Sequence, residues 1–377
     1  MLLECPITIV LKFVCFNLCT PLPWSRATSA AEQLAYQITA KCPNLHRFRY
    51  FGWSSVKADV QEALSMATVA EISKGNWSSL TSVSLQQCRL GSQGLSILVQ
   101  ADWPGLQHLD VSRNCIDAGG MALLAKGNWP LLTQLGLSSN HSIDAVAIAH
   151  LSATKWPLEE LRLGRMLITA AGAAELAKLQ LPRLANISLC GAGLTAAAMS
   201  GLAEAEWLRL SSLSISFNNL DAAAMQHLFR MQLPALELLD LTHANLTEEG
   251  AYWLALGRWP LLSILNLSDN KLNAKGVEHI TSGVWPNLQC LSLDGNPIGD
   301  GGAQQLTKGD WPLLHRLTVG LGMLEMRHSA VCLGLDSDKV QGLKCDTIHL
   351  VMYLERNVSQ DSVSLRPDLR KVVVVKC

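Results

Sequence analysis

Two periodicities of apolar residues alternate along most of the chain. Short stretches carry an aliphatic residue at every second position, as at Leu109 and Val111, and this alternation predicts strands with one buried face. Nine residues further on, a glycine precedes an apolar residue by four positions, as at Gly120 and Leu124. That spacing places both residues on one helical face. The chain is therefore predicted to alternate short strands with short helices.

Tryptophan marks the length of the strand and helix unit. Eight tryptophans recur at intervals of 26 residues or a near multiple: Trp77, Trp103, Trp129, Trp156, Trp207, Trp259, Trp285 and Trp311. Leu181 and Leu233 occupy the two remaining positions of the series, and proline follows most of its members. Because leucine preserves burial but not aromatic recognition, we interpret this Trp-Pro mark as a buried structural seam rather than a ligand stripe.

The glycine two residues before many of these tryptophans has its own interpretation. It is found at Gly75, Gly127, Gly257, Gly283 and Gly309. A glycine at the end of a helix commonly adopts the left-handed conformation of the C′ position, which we predict here. The Trp-Pro pair should then exclude helix at the tryptophan and start an extended segment.

Between the marks, the chain repeats the pattern LxxLxLxxNx(I/L), as in WPNLQCLSLDGNPIGDGGAQQL from Trp285. The polar position of the pattern is filled by Asn114, Asn140, Asn218, Asn270 and Asn296, with Cys88 as a substitute. A side-chain amide there can satisfy backbone groups of the turn after each strand. This pattern resembles the leucine-rich repeat consensus, in particular its ribonuclease-inhibitor-like class. The resemblance implies an α/β right-handed solenoid, a horseshoe with a parallel sheet on the concave face and helices on the convex face.

The repeats divide the chain into three parts. Residues 42–320 are predicted to form the leucine-rich repeat domain, with about ten to eleven repeats. Residues 321–377 form a C-terminal cap or tail, and residues 1–41 an N-terminal extension or cap. The apolar run from Ile7 to Cys19 is interrupted by Lys12 and preceded by Glu4, so it matches a signal peptide only in part. A cleaved signal remains an alternative for this segment.

Composition narrows the classes of function. The net charge is −1 and 16% of residues are charged, so no basic stripe suggests nucleic-acid binding. No stretch reaches the ~20 apolar residues of a membrane span. The eleven cysteines contain no CxxC pair, which favours reduced thiols in a cytoplasmic protein over a zinc site or disulfide framework. Because phosphate-loop, GxSxG, HExxH and GxGxxG motifs are missing, we predict neither catalysis nor a cofactor or metal.

Strand residues that point away from the core are the predicted binding surface, since solenoids commonly bind partners through such a face. One region is irregular: His141 is inserted after Asn140, the next repeat loses a residue before Leu161, and charged residues are dense nearby. Length changes in solenoids often lie on the binding face. The predicted partner-binding residues are His108, Asp110, Gln134, His141, Glu160, Arg162, Arg165, Asp240, Asn266, Asp294 and Arg316.

These features predict a monomeric, non-catalytic scaffold that binds another protein. The first alternative is a subunit of an enzymatic system, since the segment AYQITAKCPNLHRF resembles repeat openings of F-box leucine-rich repeat proteins. That resemblance implies a substrate-recognition subunit of a ubiquitin ligase, while similar repeats also occur in GTPase-activating regulators. The second is a secreted receptor fragment, with glycosylation sequons at Asn76, Asn140, Asn186, Asn245, Asn266 and Asn357. The fold alone does not decide between them.

Overall fold

The protein is described by a computed structural model that covers residues 7–11, 45–51, 58–75, 77–319, 348–350 and 373–375. The chain divides into two compact units, Met1–Gly193 (unit 1) and Leu194–Cys377 (unit 2). Most of the predicted N-terminal segment, residues 1–41, and of the predicted C-terminal segment, residues 321–377, lies outside the described residues.

Unit 1 alternates strands and helices in the predicted order. Its strands are β1 (Ile7–Leu11), β2 (Leu45–Phe51), β3 (Ser82–Gln86), β4 (His108–Asp110), β5 (Gln134–Gly136), β6 (Glu160–Arg162) and β7 (Asn186–Ser188). Its α-helices are α1 (Ala58–Ser73), α2 (Gly91–Leu98), α3 (Ala118–Leu124), α4 (Ala145–Ala149) and α5 (Ala170–Lys178), and a 3₁₀ turn spans His150–Ala153. Each strand pairs in parallel with the next along the chain.

Unit 2 repeats this arrangement. Its strands are β8 (Ser212–Ser214), β9 (Leu238–Asp240), β10 (Ile264–Asn266), β11 (Cys290–Ser292), β12 (Arg316–Thr318), β13 (Ile348–Leu350) and β14 (Val373–Val375). Its helices are α6 (Ala196–Leu202), α7 (Ala222–Arg230), α8 (Glu248–Ala255), α9 (Ala274–Ser282) and α10 (Gly299–Leu306). Strands β8 to β12 pair in parallel in chain order, whereas the valine-rich β14 pairs antiparallel with β13.

The repeat period sets the register of the parallel strands. Leu109 is the partner of Leu135 in unit 1, and Leu239 is the partner of Leu265 in unit 2, each pair being separated by one repeat. Such leucines are completely buried beneath the helices, and the residues on either side of them face the other way. The predicted fold class, an α/β leucine-rich repeat solenoid with a parallel sheet, is therefore confirmed.

The tryptophan series is buried, as a structural seam requires. All eight tryptophans are buried, and two pairs of indoles contact each other, Trp129 with Trp156 at a centroid separation of 5.7 Å and Trp259 with Trp285 at 6.2 Å. The seam glycines, however, are not left-handed: Gly283 has φ −70° and ψ 161°, and none of the five has a positive φ. A Cβ at Gly127 would lie 2.4 Å from the Trp129 ring. The glycine is there because the following indole folds back over it, so the C′ prediction was wrong.

The segment after each tryptophan of the series except Trp156 is a turn rather than an extended run. The N–H of Leu132 donates to the carbonyl of Trp129 at 3.1 Å, and that of Leu262 donates to Trp259 at the same distance. This bond joins residues three apart, which defines a β-turn. The predicted extended segment therefore begins only with the strand itself.

The asparagine ladder joins successive repeats as predicted. The buried Asn140 accepts the N–H groups of Asn114 and Ile116 through Oδ1 at 2.8 and 3.1 Å. Its Nδ2 donates to the carbonyls of Val111 and Leu137 at 3.2 and 2.7 Å. One amide thus satisfies four backbone groups that would otherwise be buried without partners.

Alanine replaces asparagine in two ladder positions without leaving the neighbouring N–H unsatisfied. Where Ala192 stands, the N–H of Ile168 donates to the Ala192 carbonyl at 2.9 Å. Where Ala244 stands, the N–H of Leu220 donates to its carbonyl at 3.0 Å. The backbone oxygen thus takes over one role of the missing amide, which explains why the ladder tolerates these substitutions.

Candidate protein-binding surface

In unit 1, the register brings most of the predicted binding residues together on the side of the sheet that faces away from the core. Asp110 on β4 is the partner of Gly136 on β5, and Gly136 is the partner of Arg162 on β6. The neighbouring row consists of His108, Gln134 and Glu160. These polar residues of β4 to β6 form one continuous surface, which we call the β4–β6 face.

Arg162 crosses the middle strand to reach Asp110. Its Nη1 lies 4.0 Å from Asp110 Oδ2, although β5 runs between the two residues. The space is available because Gly136 has no side chain: a Cβ there would lie 2.7 Å from Asp110 Oδ1. The glycine therefore lets the guanidinium and the carboxylate meet above the backbone of β5.

Both partners of this ion pair are held by further bonds. Asp110 is only 4% exposed and accepts Gln86 Nε2 at 2.6 Å and the N–H of Ser112 at 3.0 Å. Arg162 Nε donates to Glu160 Oε1 at 2.5 Å. The Arg162 side chain remains 40% exposed. The guanidinium is thus oriented by two carboxylates and still accessible to a partner.

The first row of the β4–β6 face contains a second polar contact. His108 Nδ1 lies 2.6 Å from Gln134 Oε1, so the two side chains share a hydrogen bond. Both residues are half-buried. This bond limits the rotamers of two side chains that border Arg162 and Glu160, and so lowers the entropy that a bound partner would have to remove.

The predicted residues of unit 2 interact locally and do not form one network. Asp240 accepts Ser214 Oγ at 3.1 Å and Thr242 Oγ1 at 2.6 Å, and Asn266 accepts the N–H of Ser268. Arg316 is exposed, and within residues 77–319 no ion pair involves it. Over the same range, buried Asp294 Oδ1 has no hydrogen-bond donor.

Unit 2 instead presents apolar side chains that the sequence reasoning did not select. Leu238, Ile264 and Cys290 are register partners on β9, β10 and β11. Ile264 is 39% exposed. The strand pattern already places these three residues at outward positions. The sequence prediction left them out because it selected polar and charged residues as binding candidates.

Arg165 lies in the loop after β6 rather than on the strand, and its backbone is left-handed with φ 54°. Its N–H donates to the carbonyl of Cys190 at 2.7 Å. The residue before each ladder position repeats this conformation: Gln87, Arg113, Ser139, Arg165 and Gly191 in unit 1, and Phe217, His243, Asp269 and Gly295 in unit 2. These residues form a loop edge in each unit.

Sequence reasoning missed the loop edge because most of its members are not glycine or asparagine, the residues expected at positive φ. Gly191 and Gly295 occupy it in two repeats and were the available signal. In unit 2 it exposes an aromatic pair, in which Phe217 is 58% exposed and stacks on His243 at a centroid distance of 5.1 Å.

His141 is exposed in the loop before α4, where the irregular repeats were predicted. The helix that follows it, α4, has five residues and continues as a 3₁₀ turn. Within residues 77–319, no hydrogen bond or ion pair links His141 to Arg162. The structure therefore does not join His141 to the β4–β6 face through direct contacts.

The described residues also bear on metal binding, membrane crossing and glycosylation. In the described parts of the chain, no three His, Cys, Asp or Glu side chains are grouped so that they could hold a metal ion. None of the helices given above is long and apolar enough to cross a membrane. The sequon residue Asn140 is fully buried in the ladder, while Asn76 and Asn357 lie outside the described residues.

Comparisons with known proteins agree with the repeat assignment. A family model described as a leucine-rich repeat matches residues 106–125, 260–280 and 286–306, so the chain contains leucine-rich repeats in both units. A search of curated proteins found no match.

Solved structures with a similar fold include a chain from the crystal structure of the Rad7 and Elc1 complex in yeast. It is 18% identical over 80% of this chain and 86% of that chain, with a TM-score of 0.48. A chain of the TLR13–ssRNA13 complex is 20% identical over 84% of this chain, with a TM-score of 0.48. The match spans only 40% of the latter chain's length.

Proposed function

We propose that this protein is a non-catalytic scaffold that binds another protein, and that the β4–β6 face is a docking surface. The observation that carries the proposal is the orientation of Arg162, which Asp110 and Glu160 hold in place while 40% of its side chain is exposed. Arginine is among the residues that contribute most to protein interfaces. An arginine that is already oriented loses little entropy on binding.

The chemistry of the face suggests what a partner must offer. Arginine has five N–H donors and no acceptor, and the bonds to Asp110 and Glu160 use part of that set. The exposed Arg113 and Arg165 add two guanidinium groups on the loop edge of the same unit. A partner that presents carboxylate or carbonyl oxygens would complement these groups.

Two narrower roles remain proposals, namely substrate recognition in a ubiquitin ligase and GTPase activation. An adaptor-binding segment in residues 1–41 would distinguish the first, and most of those residues lie outside the described ones. Accelerated GTP hydrolysis would distinguish the second. The monomeric state, the cytoplasmic location and the ribonuclease-inhibitor-like class also stay predictions.

Affinity capture with matched variants tests the docking surface. The immobilised wild-type chain, the Arg162→Glu variant and the Arg183→Glu variant would be incubated with the same cell extract and compared by quantitative mass spectrometry. Arg183 is a suitable control because it is an exposed arginine of the same unit that lies in the turn before β7 and not on a strand of the β4–β6 face. A partner of the β4–β6 face should be lost with Arg162→Glu and retained with Arg183→Glu.

The captured partner would then be purified and its affinity measured. Loss of an interface arginine of this kind should weaken binding by roughly 30-fold or more. Equal thermal midpoints of the two variants would exclude unfolding as the cause. If every partner binds Arg162→Glu as tightly as the wild type, the proposed docking surface is wrong.

A further inference from the structure

A group of aromatic side chains on helices α7 to α9 of unit 2 lies outside the tryptophan seam. Trp253 is six residues before the seam residue Trp259 and does not belong to the 26-residue series. Its ring contacts Phe229 of α7 at 5.9 Å and Tyr252 at 5.4 Å, and Tyr252 contacts His279 of α9 at 5.4 Å. Only 6% of the chain is aromatic, so such a cluster on the helical side needs an explanation.

The cluster borders a cleft of about 280 Å³. Its lining residues are Ala222, Glu248, Glu249, Tyr252, Trp253, Lys275 and His279. Pockets that take a whole small molecule usually measure ~300–1,000 Å³. This cleft lies just below that range, and its volume accommodates one long side chain.

The charges around the cleft are not evenly matched. Glu248 accepts Lys275 Nζ at 3.1 Å and Asn273 Nδ2 at 2.8 Å, so the lysine is engaged within the protein. Glu249 is exposed, and within residues 77–319 no ion pair or hydrogen bond of its carboxylate is found. The remaining charge beside Tyr252 and Trp253 is therefore negative.

The rings themselves remain accessible. Tyr252 is 45% exposed, and Trp253 and His279 are half-buried. Tyr252 meets Trp253 and His279 edge to face, with interplanar angles of 72° and 74°, so these rings do not form a closed stack. A cation placed over an aromatic face is attracted by its quadrupole, and the attraction is largest for tryptophan.

We propose that this cleft is a second docking site, which takes an arginine or lysine side chain from a basic segment of a partner protein. The aromatic rings contact the aliphatic part and the charged head of the side chain, and Glu249 pairs with its charge. An acidic side chain would be repelled by Glu249, and an apolar one would leave that carboxylate without a counter-charge. The site is separate from the β4–β6 face and does not depend on the role of Arg162.

Peptide binding to the full chain tests this proposal. The probes are a fluorescein-labelled Gly-Ser peptide containing arginines and the same peptide with citrulline at each arginine, which keeps the shape and removes the charge. Fluorescence anisotropy at low salt should show the arginine peptide binding roughly tenfold more tightly than the citrulline peptide. Equal affinities, or tighter binding of a matched leucine peptide, would overturn the proposal.

Variants separate the cleft from general electrostatics. Trp253→Ala and Glu249→Gln should each weaken the arginine peptide by roughly fivefold. Phe217→Ala removes an exposed aromatic residue elsewhere in unit 2, and Glu278→Gln removes an exposed carboxylate of α9 that does not line the cleft. Both controls should bind as the wild type does.

The outcome can be read even if one variant is unstable. Thermal unfolding followed by circular dichroism identifies a folding defect in Trp253→Ala, and the exposed substitution Glu249→Gln then decides. If Glu278→Gln weakens binding as much as Glu249→Gln, the peptide follows overall charge and the cleft is not its site.

Discussion

Asp110 in unit 1 and Asp240 in unit 2 occupy the same place in the repeat, since their numbers differ by 130, which is five periods of 26 residues. Both accept the N–H of the residue two positions on, at 3.0 Å from Ser112 and at 3.1 Å from Thr242. Beyond this shared bond the two carboxylates differ. Asp110 is buried against Gln86 and Arg162, whereas Asp240 is half-buried against hydroxyl groups.

The difference comes from the next two strands. Gly136 follows Asp110 in register, and Asn266 follows Asp240. One strand further, unit 1 has Arg162 and unit 2 has Ser292. The repeat backbone therefore determines where each side chain stands, while an absent Cβ on the middle strand and a long side chain on the next one together let side chains two strands apart meet.

The neighbouring row shows a parallel change of chemistry. His108, Gln134 and Glu160 in unit 1 correspond to Leu238, Ile264 and Cys290 in unit 2, again five repeats apart. Equivalent positions of one fold thus form a polar row in one unit and an apolar row in the other. This is how a repeat protein acquires different binding surfaces without changing its core.

The strongest test of the comparison is to fill the gap in unit 1. Gly136→Val should place a side chain within the Asp110 carboxylate, separate Arg162 from Asp110, and lower the free energy of unfolding by about 2–3 kcal/mol through overpacking. The matched change Asn266→Val should lower it by only about 1 kcal/mol, because the site already holds a side chain and the change removes one acceptor, that of the Ser268 N–H. Urea unfolding of both variants measures this difference, and equal effects would refute the role assigned to Gly136.

A smaller difference is expected between the two aspartates. Asp110→Ala leaves the Ser112 N–H and the Gln86 amide without their acceptor in a buried place, which should cost about 2 kcal/mol. Asp240→Ala should cost about 1 kcal/mol, because the hydroxyls of Ser214 and Thr242 can turn to water. Thermal unfolding distinguishes the two variants, and a larger loss in Asp240→Ala would contradict the ranking.

The helix caps extend the comparison and add a dependence on pH. Asp117 caps α3 by accepting the Gly120 N–H at 2.8 Å, while the equivalent Thr247 of unit 2 makes no such bond. Asp117→Ala should cost about 1 kcal/mol at neutral pH, and Thr247→Ala should cost less.

The sign of the pH dependence follows from the same bond. The Gly120 N–H, and next the Ser92 hydroxyl, lower the pKa of Asp117 in the folded protein. The ionised Asp117 carboxylate therefore makes its full contribution to the free energy of unfolding above the pKa of the unfolded chain, about 3.9. This contribution is lost as the pH falls through the lowered pKa of the folded protein. The stability gap between the wild type and Asp117→Ala should close under acid, and a constant gap would show that the ionised carboxylate is not the cap.

The smallest expected effect concerns the two arginines. Arg162→Ala should lower stability by about 0.5 kcal/mol, since its ion pairs are partly exposed and screened by solvent. Arg316→Ala should have no measurable effect. If both variants unfold at the same urea concentration, the contacts of Arg162 contribute to binding geometry rather than to stability.

The sequence predicted the fold well because the information needed is periodic. The strand leucines, the helix glycines and the asparagine ladder each recur every 26 residues, so ten repeats report the same environment. The sequence also predicted that Cys88 takes the place of a ladder asparagine. In the structure its Sγ lies 3.2 Å from the Gln86 carbonyl. Because ten repeats carry the same pattern, an error in the interpretation of one repeat leaves the predicted fold correct.

The site was less predictable because its decisive features are not periodic. The meeting of Arg162 with Asp110 depends on one glycine between them, and no sequence spacing reports a contact across two strands. The aromatic cleft escaped prediction because Trp253 lies outside the 26-residue series, and no spacing in the sequence reports that its ring meets Phe229 and Tyr252. The seam glycines were misread because two different causes, a left-handed backbone and a covering indole, select the same residue.

The loop edge has one consequence for how this molecule can change. Its backbone keeps φ between 53° and 69° whether the side chain is Arg113, Ser139, Phe217 or Asp269, and the N–H of each of these four residues donates to a carbonyl of the next repeat. Seven members of the edge carry side chains that range from serine to phenylalanine, so the scaffold accepts varied residues there, whereas a Cβ at Gly295 would collide with Asp269. Substitutions at the non-glycine positions of this edge could therefore change the binding specificity one residue at a time, while the backbone of the repeats stays the same.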